Sequence, residues 1–267
     1  MSRARANGSE FGFTLIELLT ALGIFLLVCG AAFTLLATSQ QRSQTESQVL
    51  NSFQEARLAL DQMVRDVNDA GYPPPNFLIP GSPQNTTSTP FAWSPGYTVP
   101  TTCTIGGSCI TPGDFDIVIE TNPNPQDPTS QVDWIRYKLD FATSTLMRGV
   151  ALKQTPGHDP AVDAATYFAP LVQNVVNNAS AAQIAQYQAV YPNMFPGGNP
   201  VPIFSYTCDT GSVPQPCQTL VGSANSPANI RDVVITLIVS APTPDATTGE
   251  VRLVQLVGRG RRINPIQ

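Results

Sequence analysis

Phe11-Gly12-Phe13-Thr14-Leu15-Ile16-Glu17-Leu18-Leu19 opens a run that continues without a charge from Leu18 to Ala37. At ~1.5 Å per residue, those twenty residues span about 30 Å as a helix, the thickness of a bilayer core. Arg3 and Arg5 precede the run, so the positive-inside tendency puts the N-terminus in the cytoplasm and the rest of the chain outside. A secretory signal peptide has a shorter apolar region and a small-x-small cleavage site. Here the apolar run passes straight into an amphipathic pattern, which favours an anchor.

Outward from this run, Val49, Phe53, Ala56, Leu60, Met63 and Val67 recur at alternating spacings of four and three. Arg42, Glu46, Glu55, Arg57, Asp61, Arg65, Asp66 and Asp69 fall between them, so the apolar stripe faces a partner and the charges face water. Gly71 and Pro73-Pro74-Pro75 end the pattern. A helix from about residue 14 to about 70 is ~85 Å long, far more than a bilayer needs, so its outer half must pack on something else. About three heptads are barely enough for a coiled coil, and the chain then breaks into proline-rich loops and strands. The expected mate of the stripe is therefore the chain's own sheet.

Residues 73 to 113 are rich in Pro, Gly, Ser and Thr and read as a long surface excursion. Strand patterns follow at Asp114 to Glu120, Val132 to Asp140 and Thr145 to Leu152, joined by short turns as in an antiparallel meander. The second strand puts Trp134, Arg136 and Lys138 on one face and Ile135, Tyr137 and Leu139 on the other, which predicts that both faces are partly covered. After a poorly patterned stretch with a short helix around Ala179 to Ala189, the sheet resumes at Ile203 to Thr207, Arg231 to Ser240 and Val251 to Gly258. The fold class is α+β: a long N-terminal helix, half transmembrane and half amphipathic, packed on an antiparallel sheet with long loops.

Charged residues are 12% of the chain, about half the usual share, and the net charge is −5. An acidic surface argues against general nucleic-acid binding. Cys29 lies in the apolar run and reads as an unpaired packing residue. The other four cysteines fall into two local pairs, Cys103 with Cys109 and Cys208 with Cys217. Proximity favours those pairings among the three possible, with shared metal ligation the alternative. Disulfides place the outer domain in an oxidising compartment such as the periplasm. The single histidine, His158, sits in a loop with no nucleophile motif nearby, no glycine-rich loop follows a strand, and Asp127 and Asp133 fit no calcium-loop spacing. The expectation is a protein that is no enzyme, with no catalytic residue, metal or cofactor. Arg259, Arg261 and Arg262 read as a solvated end of the last strand.

The segment Phe11 to Leu19 resembles the N-terminal motif of type IV prepilins and type II secretion pseudopilins. The resemblance covers about 30 residues. It implies a leader at 1–12, a transmembrane half-helix at 13–40, an amphipathic half at 41–72 and an extracytoplasmic sheet domain at 73–267. A prepilin peptidase would cut between Gly12 and Phe13 and methylate the new N-terminus at Phe13. Glu17 would then match charge with the amine of Phe13, its own or a neighbouring subunit's, during assembly. A carboxylate costs roughly 2.5 to 3.5 kcal/mol at mid-bilayer, so compensation is physically required, and an interfacial Glu17 that snorkels to the headgroups is the plain alternative. Ile135-Arg136-Tyr137, Leu146-Met147-Arg148 and a late strand-turn-strand are similar to PilW-like minor pilins and to J-type minor pseudopilins. The implied function is a minor type IV pilin, with a pseudopilin of type II secretion or a tip-displayed adhesin as alternatives. The implied partners are the prepilin peptidase, other pilins or pseudopilins and inner-membrane lipid.

Overall fold

The computed structural model describes residues 12–74, 86–94, 103–124, 127, 129–154, 158–211, 213–245 and 248–263. The chain divides into two compact units, Met1–Ser47 and Gln48–Gln267.

Helix α1 runs Leu15–Asn68 and contributes to both units. In the first unit its most apolar 18 residues have a mean hydropathy of 2.4 and none is buried, so the helix is long and apolar enough to cross a membrane. The threonine hydroxyls there turn back on the helix: Thr20 donates to Glu17 O, Thr34 to Ala31 O and Thr38 to Leu35 O at 2.8–3.0 Å. Hydroxyls satisfied in this way need no water. Cys29 forms no disulfide. After Asn68 the chain leaves the helix through Gly71, whose φ of 79° suits a residue without a Cβ.

The second unit holds two antiparallel sheets where one was expected. The first has the order β1 (Phe91–Ala92), β2 (Asp116–Thr121), β3 (Asp133–Asp140), β4 (Thr145–Leu152) and β5 (Ala169–Val172). The second has the order β7 (Gln215–Pro216), β6 (Phe204–Cys208), β8 (Ile230–Ser240) and β9 (Leu253–Arg261). Helix α2 (Pro160–Ala165) follows β4, and α3 (Ala181–Val190) lies between β5 and β6.

The outer part of α1 contributes Ala56, Ala59, Leu60, Met63 and Val67 to one core with Ile117, Ile119, Ile135, Tyr137 and Leu146 of the first sheet and Phe204, Val233, Ile235 and Leu237 of the second. The stripe read from the sequence is thus buried from Ala56 onward, while Val49 and Phe53 are half-buried. Asp66, expected among the solvent-facing charges, is buried instead, because on the helix it lies beside Ala59 and Met63, at the margin of the arc that meets the sheet. The helix meets β9 through glycines. A Cβ at Gly260 would lie 2.5 Å from Val67 Cγ1, and one at Gly258 2.8 Å from Leu60 Cδ1.

The opposite face of the first sheet carries a second core of Val118, Trp134, Ala92, Trp93, Ala161 and the Cys103–Cys109 disulfide. Part of the 73–113 segment is therefore interior rather than surface: Phe91 and Trp93 are among the most buried side chains. Their aromatic area outweighs the loop-like composition around them.

β6 stops opposite Ile235, so beyond that point β8 keeps β9 on one side and has no strand on the other. Asn177 fills the gap. Its amide accepts from Ile238 N at 2.7 Å and donates to Thr236 O at 2.9 Å and to Val201 O at 3.1 Å. Val176 N to Ile238 O and Ser240 N to Asn174 O complete the edge, both at 2.9 Å. The backbone groups of a buried strand end need such partners, and here a side chain supplies them.

Candidate functional site

The helix begins where the sequence motif lies. Thr14 precedes the first helical residue, and Glu17 is the third residue of the helix. The Thr14 N–H donates to Glu17 Oε2 at 3.0 Å, the Thr14 hydroxyl donates to the same oxygen at 2.9 Å, and Glu17 N–H donates to Thr14 Oγ1 at 3.4 Å. This is a reciprocal capping box, in which each side chain accepts from the backbone N–H of the other residue; Glu17 N–H also reaches Thr14 O at 3.1 Å. Gly12 and Phe13 stand just outside the helix and are exposed. Sequence reasoning identified Glu17 but missed Thr14, although Thr-x-x-Glu ahead of an apolar run is itself a helix-start signature. Phe11 and the residues before it, with Arg3, Arg5 and Glu10, lie outside the described residues.

In the second unit the helix and first sheet are tied by a polar cluster inside the core. Asp66 accepts the Tyr137 hydroxyl at 2.5 Å, Gln62 Nε2 at 2.7 Å and Arg148 Nη2 at 3.2 Å. Arg148 Nε also donates to the Tyr137 hydroxyl at 2.9 Å, and its guanidinium lies 5.7 Å from that ring's centre. Burial, and then the Asp66 charge, push the Tyr137 hydroxyl far above its ordinary pKa, so it stays a donor. Asp133, half-buried on β3, is pushed up to about 6 by burial, with Arg148 working in the other direction.

On the other face, Arg136 forks onto Asp116 at 2.9 and 2.6 Å and donates to Ala161 O at 2.6 Å. Glu120 is buried against Lys153 at 2.5 Å, and it accepts from Ser88 N and Trp134 Nε1. Burial raises the Glu120 pKa while Lys153 opposes the rise. These pairs are enclosed by packing and fix how the strands and loops meet.

The cysteines stand in the two local pairs. Cys103 is bonded to Cys109 and Cys208 to Cys217. The first of these loops reaches the segment that follows the second: Ile105 N donates to Asn225 O, and Ile105 belongs to the same core as Cys208 and Cys217. His158 is half-exposed and its Nδ1 lies 3.0 Å from Asp163. Asp133 is on a strand, and Asp127 bonds Thr129. Among the described residues no group of three or more His, Cys, Asp or Glu side chains is placed to hold a metal ion. The three arginines after Gly258 are not equivalent: Arg259 pairs with Asp232 at 2.9 Å and Arg262 donates to Ala228 O, whereas Arg261 is exposed.

No known protein family, curated protein or solved structure matches this chain.

Proposed function

We propose that this chain is a pilin-like filament subunit, a minor type IV pilin that is cut between Gly12 and Phe13 by a prepilin peptidase and methylated at Phe13. The observation that carries the reading is the Thr14–Glu17 box. It starts a membrane-length apolar helix two residues beyond Gly12, and the same helix ends packed on an α+β unit. Cleavage converts the Phe13 amide nitrogen into an amine one residue ahead of the cap. Glu17, held at the first turn by Thr14, then lies within a helical turn of that positive charge; the helix dipole favours the carboxylate there, and the carboxylate offsets the otherwise unfavourable placing of an amine at the same end. The same carboxylate can meet the amine of a neighbouring subunit as helices gather in the inner membrane, with the sheet unit in the periplasm. The chain acts as a substrate and a building block, with other pilins and inner-membrane lipid as its partners. A minor pseudopilin of a type II secretion filament would use the same chemistry.

The test is intact mass and N-terminal peptide analysis of membrane-extracted protein, with and without co-expressed prepilin peptidase. Loss of residues 1–12 with a methylated Phe13 is the expected result. An uncut chain, or cleavage near residue 40, would overturn the proposal.

A further inference from the structure

Four strands form the edges of the two sheets, and three of them are blunted. β1 has two residues, both buried; β5 has four and includes Pro170; β7 has two, one of them Pro216. Short length and proline are how sheets avoid pairing with other chains. The fourth edge, β9, has nine residues and no proline.

The hydrogen-bond phase of β9 is fixed at both ends. Ala241 N donates to Arg252 O at 2.8 Å and Arg262 N to Arg231 O at 2.9 Å, so the even-numbered residues face β8 and the odd-numbered ones face away. The outward edge is plugged at two points. Tyr191 Oη receives the N–H of Leu253 at 3.3 Å, and Asn68 Oδ1 receives that of Arg261 at 2.8 Å. Between the plugs, the outward N–H and C=O groups of Gln255, Val257 and Arg259 have no partner among the described residues. Their side chains lie on the face away from Gly258, Gly260 and the helix, and Val257 is 61% exposed. No carboxylate among the described residues pairs with Arg261.

We infer that this three-residue window of β9 is a strand-addition site for an extended segment of another chain, with an apolar or β-branched residue facing Val257 and a carboxylate meeting Arg261. Backbone bonds to residues 255–259 supply the binding, and the unneutralised arginine sets the sign of the partner's charge. The inference does not depend on cleavage after Gly12, since it concerns only the second unit.

The test uses the full chain in detergent micelles. The probe is a fluorescent peptide of alternating threonine and valine with a glutamate at each end, followed by anisotropy and by hydrogen exchange of residues 251–263. Binding that slows exchange there is expected. Val257→Pro removes an outward N–H and no bond to β8, so it should keep the fold, checked by near-ultraviolet circular dichroism, and weaken binding about tenfold. Arg261→Glu should weaken it about threefold. A peptide N-methylated at its valines tests the same bonds on the unaltered protein and should not bind. Absence of binding by the parent peptide, or equal binding by the N-methylated one, overturns the proposal. Self-association that Val257→Pro abolishes, without peptide binding, would assign the edge to a second copy and also overturn it.

Discussion

The Asp66 carboxylate on α1 and the Tyr137 hydroxyl on β3 meet at 2.5 Å inside the core, with Arg148 bonded to both. The cluster therefore joins the helix to two adjacent strands through one buried charge. Asp66→Ala strands Tyr137 and Arg148 together and should cost about 3 kcal/mol, whereas Tyr137→Phe should cost about 1–2 kcal/mol. Urea titrations followed by near-ultraviolet circular dichroism check both. Equal costs would mean that the carboxylate carries no special weight.

Gly260 faces Val67 Cβ at 2.6 Å and Val64 O at 3.3 Å, measured from where a Cβ would stand, while the nearest atoms to Gly258 are side-chain ends. Gly260→Ala should cost about 2 kcal/mol and Gly258→Ala about half that, because methyl groups yield where a backbone oxygen does not. Adding Val67→Ala to Gly260→Ala should recover part of the loss. A double-mutant cycle reads the coupling.

Burial pushes the Asp133 carboxyl up to about 6 in the folded chain, against an ordinary value of 3.8. A raised carboxyl pKa means that the folded state holds the proton longer, so this group's contribution falls as the pH climbs from about 4 to about 6 and stays unfavourable above that. Asp133→Asn should leave stability unchanged near pH 4 and raise it by about 1 kcal/mol at pH 7.5. That figure is set well below the full linkage value because the group is part exposed. Melting curves at the two pH values decide the matter, and a gain at low pH alone would reverse the sign.

Reducing the two disulfides should destabilise the second unit by about 2–3 kcal/mol each, as expected for short closed loops. Since Ile105 is bonded to Asn225, in the segment after Cys217, and shares a core with that disulfide, Cys217→Ser should also speed amide exchange around Ile105. Hydrogen-exchange mass spectrometry of 103–109 shows whether it does.

Thr14→Val removes one half of the cap and should cost the helix start about 1 kcal/mol. Faster exchange confined to residues 14–18 is the expected readout. Unchanged exchange would show that Glu17 holds the turn alone.

The sequence made the long helix legible because an uncharged run followed by a four-three stripe has few other solutions. The strands from Asp133 to Leu152 and from Ile230 to Ser240 were equally plain, the first two by their alternating character around a short turn and the last by its run of β-branched residues. What escaped were long-range pairings. The sheet divides in two because β5 and β6 find different neighbours, and no local pattern encodes that choice. Trp93 lay in a segment whose prolines, serines and threonines outvoted its few aromatics. At the N-terminal site Glu17 stood out by its charge, while its partner Thr14 looked like an ordinary residue of the apolar run.

Asn177 stands in for a strand at the end of β8 by offering one acceptor and two donors from a single amide. Hydrolysis of that amide to a carboxylate would preserve its size and outline, yet it would set oxygen against the carbonyls of Thr236 and Val201. This corner of the fold thus has a chemical shelf life: the slow loss of one ammonia molecule would undo an edge that no change in temperature or neighbouring side chain had touched.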